Sequence, residues 1–279
     1  MSKPVLLIGG GPAGLAAAHS LASVGKECVI VEKEDRLGGA PILSGYAKLV
    51  PTGEWAKDAI GAMVDDLMAR EGRIDILVNN AGRSIRRGIA SSYDRFHDFE
   101  RTMQLNYFGS LRMIMNALPA MEKNRSGHVI NISSIGVLSN APRFSAYVAS
   151  KAALDAFSRC AASEFSDTGV KFTTINMPLV RTPMIAPTKM YENVPTISPD
   201  EAAAMVKQAV IYQPQRIATR LGIFAQVLHA VAPKVAEIVM NSAFRMFPDS
   251  AAAKGVKDHQ AAASQEQIAF ASLMRGIHW

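Results

Sequence analysis

Tyr147 and Lys151 stand four residues apart in YVASK, and Ser134 lies thirteen residues before the tyrosine, at the end of NISS. Residues 144–168 read as a helix, so Tyr147 and Lys151 share one of its faces. A lysine ammonium beside a phenol favours phenolate and draws the tyrosine down from its ordinary value of about 10. Such a tyrosine can exchange a proton with a substrate oxygen near neutral pH. Ser134 closes the apolar run GHVINIS (127–133), which reads as a buried strand. Its hydroxyl can then face the same cleft and hold that oxygen. The chemistry implied is reduction of a carbonyl or oxidation of an alcohol, with a cofactor supplying or taking the hydride.

A cofactor signal stands at the other end of the chain. Gly9, Gly11 and Gly14 make GxGxxG between the apolar run PVLLI (4–8) and a helical stretch, 12–25. Gly9 permits the tight turn, Gly11 lets a pyrophosphate approach the backbone, and Gly14 allows close helix–strand packing. Free N–H groups at the helix start favour the anion. Glu32 ends the next apolar run, ECVIV (27–31), where a carboxylate can accept from a ribose 2′-OH. It would repel a 2′-phosphate, so NAD(H) is favoured over NADP(H), with FAD as the alternative. Lys33 and Arg36 lie close enough to soften that choice.

These residues need a frame. Apolar runs at 73–78, 127–133, 170–177 and near 215–220 alternate with helical stretches at 54–71, 94–124, 144–168, 199–211 and 222–246. That order predicts a Rossmann-like α/β fold, a doubly wound parallel sheet with helices on both faces. Ligands then sit beyond the carboxyl ends of the strands. Residues 45–50 are the only candidate for a strand between 33 and 53, so the third strand is expected to be shortened or missing. We expect one domain over 1–248, divided into a nucleotide-binding portion (1–64) and a catalytic portion (65–248). Residues 249–279 follow as an Ala- and polar-rich tail.

Composition narrows the partners. Of 279 residues, 49% are hydrophobic, enough for a large core. The net charge of +6 is spread without a basic run. That fits anionic small molecules or a membrane surface better than nucleic acid. Cys28 and Cys160 are the two cysteines, with no CxxC. Neither a metal site nor a disulfide framework is therefore expected. His97, His128 and His229 have no partner at ligand spacing and are expected in packed or surface roles. Met177, Met184 and Met190 border the expected substrate loop; lining an apolar pocket is the alternative to the ordinary packing expected of them. No basic region precedes an apolar stretch at the start, so no signal peptide is expected and a cytoplasmic setting is the default.

From about residue 65 onward the chain resembles a short-chain dehydrogenase/reductase. The resemblance rests on NNAG (79–82), MQLNYFGS around Asn106, NISS (131–134), YVASK (147–151) and MPLVRTP (177–183). It implies Tyr147 as acid/base and Ser134 as the group that binds the substrate oxygen. Lys151 would also bind the nicotinamide ribose, and Asn106 would support a water-linked proton relay. Asn79, Ala81 and Gly82 would stabilise the central sheet and flank the adenosine ribose. Pro178, Val180 and Thr182 would sit beside the nicotinamide, although the family's usual Pro-Gly is here Pro178-Leu179. RIATRLGIFAQ and the terminal LMRGIHW resemble reductases acting on fatty acyl-CoA or fatty aldehydes, which implies a lipid carbonyl substrate. A homo-oligomer is expected. The apolar stretch 221–246 reads either as an oligomer face or core helix, or as a membrane-surface helix beside Arg216 and Arg220.

Residues 1–64 pull another way. GGGPAGLAAA and VEKEDRLGG resemble the FAD-binding start of a heterodisulfide-reductase-A-like flavoprotein. A short-chain dehydrogenase usually opens TGxxxGxG, and the positions of its second and third glycines hold Ala13 and Leu15. The sequence therefore reads as a mosaic with a seam near 58–66. Three outcomes are open: an NAD(P)-dependent reductase, a flavin-binding electron-transfer protein, or a catalytically dead nucleotide binder.

Overall fold

A computed structural model describes residues 5–8, 12–25, 28–31, 53–182 and 196–247. Six strands form one sheet: β1 (Val5–Ile8), β2 (Cys28–Val31), β3 (Ile76–Asn79), β4 (Gly127–Ser134), β5 (Val170–Met177) and β6 (Arg216–Ala218). All pairings are parallel, in the order β2-β1-β3-β4-β5-β6. Nine α-helices are found among the described residues: α1 (Pro12–Ala22), α2 (Gly53–Glu71), α3 (His97–Met103), α4 (Ser110–Lys123), α5 (Ile135–Ser139), α6 (Ser145–Glu164), α7 (Pro199–Tyr212), α8 (Arg220–Val231) and α9 (Pro233–Met246).

Successive strand residues point to opposite faces, and the core divides accordingly. Val5, Leu7, Ile76, Val78, Ile130 and Ile175 pack on one side with α1 and α7. Leu6, Leu77, Val129 and Phe172 pack on the other with α2, α4 and α6. A parallel sheet covered on both faces is what the near-continuous apolar runs require. The chain adds β2 on one side of β1 and β3 on the other, so the strand order reverses there. The crevice between the carboxyl ends of β1 and β3 is the place where such sheets bind ligands.

The structure departs from expectation in five places. The helical stretch 94–124 is not one helix: a π-helical segment, Gln104–Gly109, separates α3 from α4. The stretch 222–246 breaks at Ala232–Pro233. Proline has no N–H for the ladder and is tolerated only in the first turn of α9. Nor is that stretch a core helix, since Gly222 and Ala236 are its buried residues. The helix expected to reach 168 ends at Glu164. The chain then turns at Gly169, whose φ is +85° and where a Cβ would meet the Arg125 carbonyl oxygen at 2.2 Å. The strand expected at 73–78 begins instead at Ile76. The strand considered at 45–50 lies outside the described residues.

Candidate active site

Four elements deliver side chains to the carboxyl end of the sheet. β3 and β4 lock together there: Asn79 and Asn131 pair in register, and the Asn79 Nδ2 donates to the Asn131 Oδ1 at 2.8 Å. The Asn131 amide in turn donates to Ser158 Oγ on α6 at 2.8 Å. A buried polar group is costly unless satisfied, so this chain of bonds fixes α6 against the central strands.

β4 ends at Ser134, which also caps α5 by accepting from the Gly136 N–H at 3.1 Å. Its backbone is extended, with φ −145° and ψ 147°, as an N-cap requires. The hydroxyl is therefore held by a backbone contact as well as by the strand. Ser133, the alternative, is buried and points the other way along the strand alternation.

Tyr147 and Lys151 lie in the first two turns of α6. The Tyr147 hydroxyl lies close enough to the Ser134 side chain to feel it. The phenol stands above its ordinary value because burial disfavours phenolate; the neighbouring Ser134 opposes this without reversing it. That corrects the expectation of a lowered phenol. The Lys151 ammonium is itself buried and donates to the Ile132 carbonyl at 2.6 Å. Burial draws the lysine down to about 8. The phenol of this arrangement keeps its proton at neutral pH.

Asn106 sits inside the π-helical segment and is fully buried. One extra residue per turn is what such segments insert, and they recur at functional sites. Its Oδ1 accepts from the Arg83 N–H at 2.8 Å, and its Nδ2 donates to the Arg83 carbonyl at 2.9 Å. The same Nδ2 donates to Ser150 Oγ at 2.9 Å, and that hydroxyl donates to the Tyr147 carbonyl at 2.7 Å. Ser150 is absent from the expected site residues, and its place inside YVASK is the one signal the sequence offers for it.

Gly82 connects the loop after β3 to this group. A Cβ there would lie 3.1 Å from Lys151 Nζ and 3.3 Å from Asn106 Oδ1. Glycine here lets the loop backbone pack closely against Lys151 and Asn106, where a side chain would crowd them. Ala81 is half-buried next to it. On the other flank Pro178 is buried, and Val180 makes a parallel bridge to Ile197. The Ile197 N–H donates to the Leu179 carbonyl at 2.9 Å, and the Arg181 N–H to the Ile197 carbonyl at 2.8 Å. Thr182 follows, half-buried. Gly14 is buried in α1; Gly9, Gly11 and Glu32 lie outside the described residues, as do Met184 and Met190.

The remaining candidates fall where packing puts them. Met177 is in the core. His128 is buried, His229 contacts the Ser139 carbonyl at 3.0 Å, and His97 lies 3.3 Å from Asp98. No group of three or more metal-ligating side chains occurs among the described residues. Neither Cys28 nor Cys160 forms a disulfide. No helix among the described residues is long and apolar enough to cross a membrane.

Comparison with known proteins adds to this geometry. A family model described as short chain dehydrogenase matches residues 3–193. It begins inside the stretch that resembles a flavoprotein start and runs across the expected seam, and the flavoprotein resemblance finds no support among the matches. A fatty acyl-CoA reductase of Acinetobacter baylyi is 49% identical over 271 residues, 95% of this chain and 91% of the relative. A fatty acyl-CoA reductase of Mycobacterium tuberculosis is 43% identical over 228 residues, 81% of this chain and 76% of its own. Among solved structures, a short-chain dehydrogenase from Streptomyces avermitilis superposes with a TM-score of 0.68 at 24% identity, covering 88% of this chain and 98% of that one. At that identity the likeness speaks for the fold.

Proposed function

This chain belongs to the short-chain dehydrogenase/reductase family, and on that premise we propose that it reduces the carbonyl of a long-chain acyl thioester or aldehyde. The observation that carries the proposal is the convergence of the Tyr147 hydroxyl on Ser134, with Lys151 one turn along the same helix and Asn106 tying that helix to the π-helical segment. Ser134 holds the substrate oxygen. Tyr147 gives that oxygen a proton, and burial keeps the phenol protonated until it does. Lys151 holds the nicotinamide ribose, with Gly82 allowing the loop after β3 to approach it closely. Asn106 keeps the π-helical segment and the catalytic helix in register and supports the proton relay.

The family's nicotinamide cofactor, when bound, supplies the hydride. Gly9, Gly11 and Gly14 would hold its pyrophosphate, and Glu32 its adenosine ribose, which favours NADH over NADPH. Asn79, Ala81 and Gly82 would flank that ribose; Pro178, Val180 and Thr182 would sit beside the nicotinamide. The lipid substrate is supported by the two relatives named fatty acyl-CoA reductase. The reading further includes one catalytic domain over 1–248, a homo-oligomer and a reducing compartment.

Titration of the protein with NADH, NADPH and FAD, followed by long-chain acyl-CoA and aldehyde substrates, tests this directly. Tighter NADH than NADPH binding and substrate-dependent NADH oxidation are expected. Binding of FAD with neither nicotinamide form, or bound NADH without turnover of any lipid carbonyl, would contradict the proposal.

A further inference from the structure

The two C-terminal helices present apolar side chains outward. Phe224, Val227 and Val231 on α8, and Val235, Ile238 and Val239 on α9, are each between 47% and 74% exposed. Spacings of three and four place the first set in one stripe along α8 and the second set in another along α9. Exposed apolar stripes of this kind on a folded protein mark an interaction surface.

The charge around that face is one-sided. Between Arg216 and Phe247 the basic residues are Arg216, Arg220, Lys234 and Arg245, and Glu237 is the sole acid. Arg216 is committed inward, donating to both oxygens of Asp155 at 3.1 Å. Arg220 stands one turn before Phe224 at the head of α8. Lys234 and Arg245 bracket α9 in its first and last turns, and Lys234 pairs with Glu237 at 2.9 Å on the exposed surface. An exposed pair of that kind leaves the cationic character largely intact.

The face also adjoins the catalytic rim. Gly222 of α8 packs on Ile135 and Leu138 of α5, the helix that Ser134 caps. His229 contacts the Ser139 carbonyl. Arg143, in the loop before Tyr147, donates to the Phe244 carbonyl at 2.9 Å and lies 3.8 Å over the Phe244 ring. Arg86, beyond NNAG, donates to the Phe247 carbonyl at 2.9 Å. The α8–α9 pair is thus fixed to both loops that flank the substrate cleft.

We propose that the outer face of α8–α9 docks on an anionic lipid surface and brings the mouth of the cleft to the membrane. Apolar stripes flanked by cations match an acyl boundary beneath anionic headgroups. A second copy fits less well: a twofold contact would set the cations of one rim against those of the other, with one acid per copy to offset them. The inference deepens the lipid-carbonyl reading and rests on it for its purpose, whereas its evidence is the surface itself.

The test is flotation of the full chain with vesicles of equal parts phosphatidylcholine and phosphatidylglycerol, against phosphatidylcholine alone. Flotation with the anionic vesicles and weak flotation with the neutral ones are expected. Phe224→Asp and Ile238→Asp should each weaken anionic-vesicle binding about tenfold or more. Arg220→Gln should weaken it about fivefold. These side chains are exposed, so circular dichroism and the thermal midpoint should stay as in the native chain. Tyr147→Phe, which removes the proposed proton donor, should float like the native chain, so failure of the catalytic reading would be told apart from failure of this one. Absence of flotation with anionic vesicles overturns the inference, as does equal flotation of native chain and aspartate variants. So does a dimer in sedimentation velocity that Phe224→Asp dissociates, which would assign the face to a second copy.

Discussion

Asn106 and Tyr147 are joined through one hydroxyl: Ser150 Oγ accepts from the Asn106 amide at 2.9 Å and donates to the Tyr147 backbone carbonyl at 2.7 Å. Tyr147 and the π-helical segment therefore share a hinge that neither controls alone. Ser150→Ala leaves a buried Asn106 N–H without this acceptor, a loss of about 1–3 kcal/mol. The thermal midpoint should fall accordingly. A positioning role predicts more than that: kcat for carbonyl reduction should drop about tenfold while KM for NADH changes little. Ser150→Thr keeps the hydroxyl and should restore kcat. Equal kcat in the native and alanine forms would reduce Ser150 to a packing residue.

Lys151 gives the pH dependence its alkaline limb. Burial lowers it to about 8, so its ammonium is populated below that pH and lost above it. Tyr147 moves the opposite way and keeps its proton across neutral pH. The expected profile of kcat/KM for reduction is flat near neutrality and falls as pH rises through about 8. Lys151→Met should be weak at every pH and should lack that limb. A limb of unchanged position in the methionine variant would assign it to another group.

His128 sets an acid limit on stability. Thr173 Oγ1 commits its proton to the Pro214 carbonyl, so it accepts from the His128 Nε2–H at 2.8 Å. Nδ1 is buried with no partner. Burial draws the imidazole from 6.5 to about 4. The unfolded chain takes up a proton that the folded chain refuses, so stability is full above about 6.5 and is lost as pH falls toward 4. The window corresponds to about 3 kcal/mol. Urea unfolding across that range should show the loss in the native chain and a shallower slope in His128→Gln. Parallel slopes would mean that another group governs it.

Much of this site is legible in the amino-acid sequence, for identifiable reasons. Tyr147 and Lys151 need only the helical period, and Ser134 only a strand end. The two cores follow from the alternation of Val5, Leu6 and Leu7 and its repeats along the sheet. The direction of the Tyr147 shift is not legible, because it turns on how deeply the folded chain buries the phenol, which residue spacing does not show. The π-helical segment leaves no mark on the hydrophobic period that distinguishes it from a continuous helix. The short helix Ile135–Ser139 is too brief to show a period at all. Pro233 does signal a break, but the apolar run around it argues for continuity, and the proline's missing N–H decides the matter.

The central claim is that the Tyr147 hydroxyl delivers the proton to the reduced oxygen. Tyr147→Phe removes that hydroxyl while keeping the ring. The direct measurement is NADH affinity by fluorescence titration alongside NADH oxidation with a long-chain acyl-CoA. The account predicts native-like NADH affinity with turnover reduced by about a hundredfold or more. Turnover within a few-fold of the native chain would contradict it.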